Sequence, residues 1–177
     1  MNPAEERVAI VDGANRVVGA LPRRRMRERA LPHRAAYVFV FDGAGRLFVH
    51  RRTRTKDVYP GCHDVAAGGV VLEGETYEAA AARELAEELG IRGVALDRRF
   101  DFEHREAGNH VFGRVFTCVH DGPVVLQPEE VESGAFMEIP EVLAMAARGE
   151  PFTPDGLAAL RRLLAEAGEG PGPGHDG

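Results

Sequence analysis

Three carboxylates, Glu84, Glu87 and Glu88, stand at i, i+3 and i+4 in a stretch with helical spacing. At about 3.6 residues per turn they share one sector of a helix, with Ala82, Leu85, Ala86 and Leu89 on the opposite side. Like charges at these spacings repel by a few tenths of a kcal/mol per pair when exposed, and Arg83 is a single cation among three anions. A solvated face is the ordinary reading of a Glu-rich helix. Clustered carboxylate oxygens are also what a hard cation such as Mg²⁺ or Mn²⁺ prefers, and a divalent ion turns the repulsion into coordination. Gly68 and Gly69 lie just upstream, where missing side chains permit close backbone approach and a main-chain carbonyl can join the ligand shell.

The elements that must hold these groups follow from pattern. Thr76 suits an N-cap and Gly90 a C′ position, which bounds a helix over 76–89. Continuous apolar β-formers at 35–41, a turn at "DGAGR" and "LFVHRR" at 47–52 predict a buried hairpin. Further strands are expected at 94–101, 110–118 and 134–139. A helix starting at Pro140 runs through Ala147, and an amphipathic helix carrying Leu157, Leu160, Leu163 and Leu164 ends near Ala167. Mixed strands with one central and two C-terminal helices imply an α/β layer fold, helices packing on both sides of a mixed sheet. Ahead of it, strands at 8–11 and 16–21 form a small hairpin, and "RRRMRERALPHR" reads as a solvated basic linker that could also touch phosphates. The Gly- and Pro-rich tail has almost nothing apolar to bury and is expected to be disordered. The boundaries are 1–33 for hairpin and linker, 34–166 for the main domain and 167–177 for the tail.

A chain of 177 residues with 44% hydrophobic residues, 28% charged residues and a net charge of −6 fits one globular domain. The acidic balance makes nucleic acid an unlikely partner. No apolar run approaches a membrane span. Two cysteines are too few for a disulfide framework or a zinc cage and suit a reducing cytoplasm.

Gly69, Glu75 and the run Arg83-Glu84-Leu85-Ala86-Glu87-Glu88-Leu89-Gly90-Ile91 together resemble a complete Nudix box. The order of elements from about 34 to 165 is similar to a whole Nudix domain. The resemblance implies an α/β/α sandwich with a central mixed β-sheet and the box as loop–helix–loop. It further implies hydrolysis of a diphosphate linkage in a nucleoside diphosphate derivative, by metal-assisted water attack at phosphorus. Glu84, Glu87, Glu88 and the Gly68 carbonyl match the family's Mg²⁺ or Mn²⁺ ligands. Glu84 is also the position often assigned to activating water, with Arg83 orienting it and Glu75 supporting the site from behind. Glu87 counts with Glu84 and Arg83 among the catalytic candidates. A further carboxylate comes from Glu129, Glu130 or Glu132, with Glu130 the preferred candidate. A homodimer is compatible with the family.

The stretch "RRTRTKDVYPG" is similar to type 1 isopentenyl diphosphate isomerases, which share the fold, and implies that Arg52 and Lys56 hold a diphosphate. In that register Gly68 stands where the isomerase has its catalytic cysteine and Val70 where it has a histidine ligand, and Cys62 lies too early to substitute. The isomerase reading is therefore disfavoured. A non-catalytic nucleotide-binding module on the same fold is the other alternative. His33 falls near an isomerase metal-ligand position, but a lone His before a strand is more often structural or exposed. Tyr59, Tyr77 and Phe112 could stack on a base or fill the core.

Overall fold

The computed structural model describes residues 2–168. Its organising element is β3 (His33–Phe41), which pairs in parallel along its whole length with β8 (Asn109–Val119). The opposite edge of β3 pairs antiparallel with β6 (Ala67–Val70), and its ends reach β1 (Arg7–Val11) and β4 (Leu47–Arg52). The continuous apolar run of β3 has a simple cause, because the strand is covered on both faces. Ala35, Tyr37 and Phe39 pack with α3 (Ile139–Ala147) and α4 (Pro154–Gly168), whereas Ala36, Val38 and Val40 pack with α2 (Tyr77–Leu89). The strand period of two thus sorts alternate residues to two helical layers. This is the α/β/α arrangement around a mixed sheet that the sequence predicts.

The two expected hairpins form. β1 pairs with β2 (Val17–Pro22), and β4 follows β3 through a tight turn. β4 then pairs with β9 (Val131–Met137) on one edge and with the two-residue β5 (His63–Asp64) on the other. β7 (Asp97–Glu106) forms a long hairpin with β8 and extends past the expected end at 101. Phe100 and Phe102 face the core while Asp101 and Glu103 face water, so the polar-looking "FEHRE" continues the alternation. β9 stops at Met137, since Glu138 already serves as the N-cap of α3.

Two expectations change. The basic stretch forms a six-residue helix, α1 (Arg23–Glu28), rather than an open linker; its single apolar residue, Met26, packs on Val8, Ile10 and Val70. One apolar side chain leaves no readable period, which is why the pattern did not announce a helix. The orientation of α2 also differs. Its buried stripe is Tyr77, Ala80, Ala81, Glu84, Leu85, Glu88 and Leu89, while Ala82 is exposed and Ala86 only half-buried. The aromatic and small residues of the first two turns set the stripe and turn Glu84 and Glu88 inward. Leu85 and Leu89 anchor it, each worth about 2 kcal/mol of burial. The N-cap Thr76 accepts from Ala79 N, and Gly90 ends the helix at φ +66, a conformation that favours glycine. Of the expected tail, residues 167 and 168 belong to α4, and the remainder lies outside the described residues. No helix among the described residues is long and apolar enough to cross a membrane.

Candidate functional site

Glu84 and Glu88 leave the inward side of α2 one turn apart, and Glu130 meets them from the turn before β9. The three carboxylates offer oxygens that all lie within 4.8 Å of one another. Backbone bonds place that turn: Gln127 N donates to Glu88 O at 3.0 Å, and Thr53 N donates to Glu130 O at 3.1 Å. Glycines make room behind the cluster. A Cβ on Gly69 would lie 2.5 Å from Glu84 Oε1, and one on Gly68 would lie 1.9 Å from the Ala36 carbonyl oxygen. A side chain at either position displaces backbone or carboxylate, so β6 runs under the site only as a glycine pair.

Arg83 ties the box together. It donates to both Glu75 oxygens at 2.8 and 3.0 Å, to Glu84 Oε1 at 2.6 Å and to the Val70 carbonyl at 3.2 Å. Glu75 also accepts from Leu72 N at 2.9 Å, which closes the loop ahead of α2. Glu87 falls elsewhere: its side chain is 50% exposed and 3.5 Å from Arg83, outside the three-carboxylate cluster. Among the other acidic candidates, Glu129 is exposed and Glu132 lies 3.5 Å from Arg51.

Charge in the cluster is only partly compensated. Burial and then the neighbouring Glu84 push the Glu88 carboxyl well above its ordinary value. Burial raises Glu84 against the pull of Arg83. Burial works to raise Glu130 too, but the Lys56 ammonium, 2.7 Å away, and a hydrogen bond from Glu88 outweigh it and hold Glu130 below the usual range. Three buried or half-buried oxygen donors converging with too few protein cations match what a hard divalent ion needs.

Beside this cluster is a cleft of ≈ 620 Å³, open mouth included, whose lining includes Gly68, Gly69 and Lys56; Gly69 lies against Glu84 and Lys56 bonds Glu130. Its wall carries Arg23 and Arg27 of α1, with Arg52, Lys56, Tyr59 and Asn109. Arg52 and Lys56, expected as diphosphate ligands, both line the cleft, yet each has an internal partner. Arg52 donates to the Val58 carbonyl at 2.9 Å and to Asp64 at 3.3 Å, and Lys56 donates to Glu130. Tyr59 holds φ +51, rare for a tyrosine, and its hydroxyl bonds Glu106. Tyr77 and Phe112 are core residues: the Tyr77 hydroxyl donates to the Phe112 carbonyl and two arginines cover its ring. Cys62 is half-buried with its thiol raised by burial, and Cys118 is buried.

Other polar pairs in the cleft wall leave no motif in the sequence. Tyr37 OH donates to Asp155 at 2.6 Å and Thr153 donates to Asp64 at 3.1 Å, while His33, also in the wall, is buried against Leu31 O and Arg27. A tyrosine inside the otherwise apolar run 35–41 was the one available signal, because a buried hydroxyl needs a partner.

A family model described as NUDIX domain matches residues 31–160. The chain is 46% identical over 159 residues to an uncharacterized Nudix hydrolase of Pseudomonas aeruginosa, covering 90% of this chain and 94% of that one. It is 43% identical over 155 residues to the uncharacterized Nudix hydrolase YfcD of Escherichia coli, covering 88% and 84%. Among solved structures, DR0079 from Deinococcus radiodurans is similar at a TM-score of 0.79 and 29% identity, over 89% of this chain and 98% of its own. With a box complete from Gly69 to Ile91 and a family model spanning most of its length, the chain belongs to the Nudix hydrolases.

Proposed function

We propose that the protein hydrolyses a diphosphate linkage in a nucleoside diphosphate derivative, with Mg²⁺ or Mn²⁺ held by Glu84, Glu88 and Glu130 and by the Gly68 carbonyl. The convergence of those three carboxylates from α2 and the turn before β9 carries this reading. A divalent ion there would screen the diphosphate charge and strengthen water as a nucleophile. The chain's own groups do the rest. Arg83 fixes Glu84 through Oε1, which leaves Oε2 to take the proton from the attacking water. Glu75 holds Arg83 in that position. Glu87, exposed beside Arg83, is assigned a lesser part than its box position suggests. Arg52, in the cleft wall, is the proposed diphosphate anchor, and the hydrogen-bonding wall of Tyr59 and Asn109 suits a polar organic group. Two free cysteines agree with a reducing cytoplasm.

The test is a panel of nucleoside diphosphates, triphosphates, nucleotide sugars and dinucleotides, with metal and with chelator. At least one is expected to be cleaved only with metal, and Glu88→Gln is expected to lower that rate by about 100-fold or more. Turnover that ignores both chelator and Glu88→Gln sinks the proposal. The isomerase reading is disfavoured further by packing, since position 68 has no room for a cysteine side chain. Conversion of isopentenyl to dimethylallyl diphosphate would restore it.

A further inference from the structure

The acidic cluster carries a cation of its own. Lys56 Nζ lies 2.7 Å from Glu130 Oε2, with the lysine side chain 15% exposed and the glutamate 25%. The contact is built into the backbone. Lys56 N donates to Thr53 O, Thr53 N donates to Glu130 O, and the Thr53 hydroxyl donates to Glu129 O. The segment bearing the ammonium and the turn bearing the carboxylate are therefore stitched together. The neighbouring guanidiniums are otherwise engaged: Arg83 by Glu75 and Glu84, Arg52 by Val58 and Asp64. Among the described residues Lys56 is the cation that bonds Glu130.

An ammonium is a compact charge on a flexible stem, able to move several ångströms without disturbing the fold. A divalent ion on the same carboxylate weakens this contact, because two cations a few ångströms apart repel at half-buried sites; Arg83 is also held by Glu75, whereas among the described residues Lys56 has Glu130 as its one carboxylate partner. Lys56 lines the cleft together with Arg23, Arg27 and Arg52, so the direction of release is already furnished. There the ammonium joins α1 guanidiniums whose nearby counter-ions are Asp57 and Glu6. Adding one more positive charge to that wall favours an anion.

We infer that Lys56 is an internal counter-ion to the metal site. In the metal-free protein it neutralises Glu130; when a divalent ion binds, it is displaced into the cleft, where it meets phosphate. Metal binding and phosphate binding are thereby coupled positively through one side chain. This rests on the metal assignment proposed above, and the two fail differently.

The experiment titrates the full chain with Mn²⁺ alone, following the free ion by electron paramagnetic resonance. It compares wild type, Lys56→Met, Lys56→Arg and Glu88→Gln. Lys56→Met removes the competitor and is expected to bind Mn²⁺ about tenfold more tightly than wild type. Lys56→Arg keeps the charge and stays within about twofold. Inorganic phosphate is expected to tighten Mn²⁺ binding several-fold more in wild type than in Lys56→Met, and equal tightening in the two overturns the coupling through Lys56. Glu88→Gln loses the site. If Lys56→Met binds Mn²⁺ no better than wild type while Glu88→Gln still loses it, the counter-ion role is overturned and the metal assignment stands. If Glu88→Gln binds as wild type does, the metal assignment itself falls. Should Lys56→Met fold poorly, Lys56→Gln makes the same comparison.

Discussion

Two pairs of buried carboxyls invite comparison, Glu84 with Glu88 in the cluster beside the cleft and Asp64 with Asp155 in the cleft wall, at 5%, 3%, 8% and 9% exposure. Burial raises all four. Their surroundings differ. Asp64 accepts from Arg52, Thr153 Oγ1 and Ala66 N, and Asp155 accepts from the Tyr37 hydroxyl. Glu84 has Arg83, while Glu88 faces Glu84 and Glu130 and has no arginine or backbone donor among the described residues. Burial alone does not mark a reactive acid. The supply of donors separates the two pairs: a carboxyl satisfied on several sides is architecture, and a cluster short of donors is the better candidate for a ligand site.

The comparison breaks most visibly at the satisfied pair. Asp64→Ala strands the half-buried Arg52 guanidinium and the Thr153 hydroxyl, and is expected to cost about 3 kcal/mol in urea unfolding. A loss below about 0.5 kcal/mol would mean that Asp64 is no more structural than Glu88.

The cleft wall sharpens the point with a base. Burial first, and then Arg27, hold the His33 imidazole down to about 4 from its usual 6.5. Above pH 6.5 folded and unfolded chains both carry it neutral; below that the unfolded chain takes up a proton that the folded one refuses until about 4. Stability is therefore lost as pH falls through that window. His33→Gln lacks this loss, and the wild type should fall behind it by about 2 kcal/mol between neutral and acidic pH. Parallel pH profiles for the two proteins would remove His33 from the account.

The smallest effect is expected at the unsatisfied pair. Metal-free Glu88→Gln relieves a buried, crowded carboxyl and should unfold at the same point or about 1 kcal/mol later, while losing Mn²⁺. A clear drop in stability would place Glu88 with Asp64 as architecture.

Much of this was legible in the sequence, for a physical reason. Box residues from Gly69 to Ile91 are contiguous, so helical geometry and capping carry Glu84, Glu88 and Arg83 to one place without long-range information. β3 announced its double burial through unbroken apolarity. The choice of Glu130 over Glu129 and Glu132 depends on bonds from the end of α2 and from Thr53, and these appear only once the chain has folded. The same holds for Tyr37 with Asp155, which pair across most of the chain. α2 was turned wrongly because alanines weigh little in an apolar pattern, yet Ala80 and Ala81 are the residues that let the helix approach the sheet.

β3 has neighbours on both edges and helices on both faces. Its amide hydrogens are consequently among the last to exchange with solvent, short of opening the entire protein. Two of the three carboxylates hang from α2, whose Ala80, Ala81, Leu85 and Leu89 are packed on that same strand. The most protected strand of the fold is therefore also the floor on which the site is held.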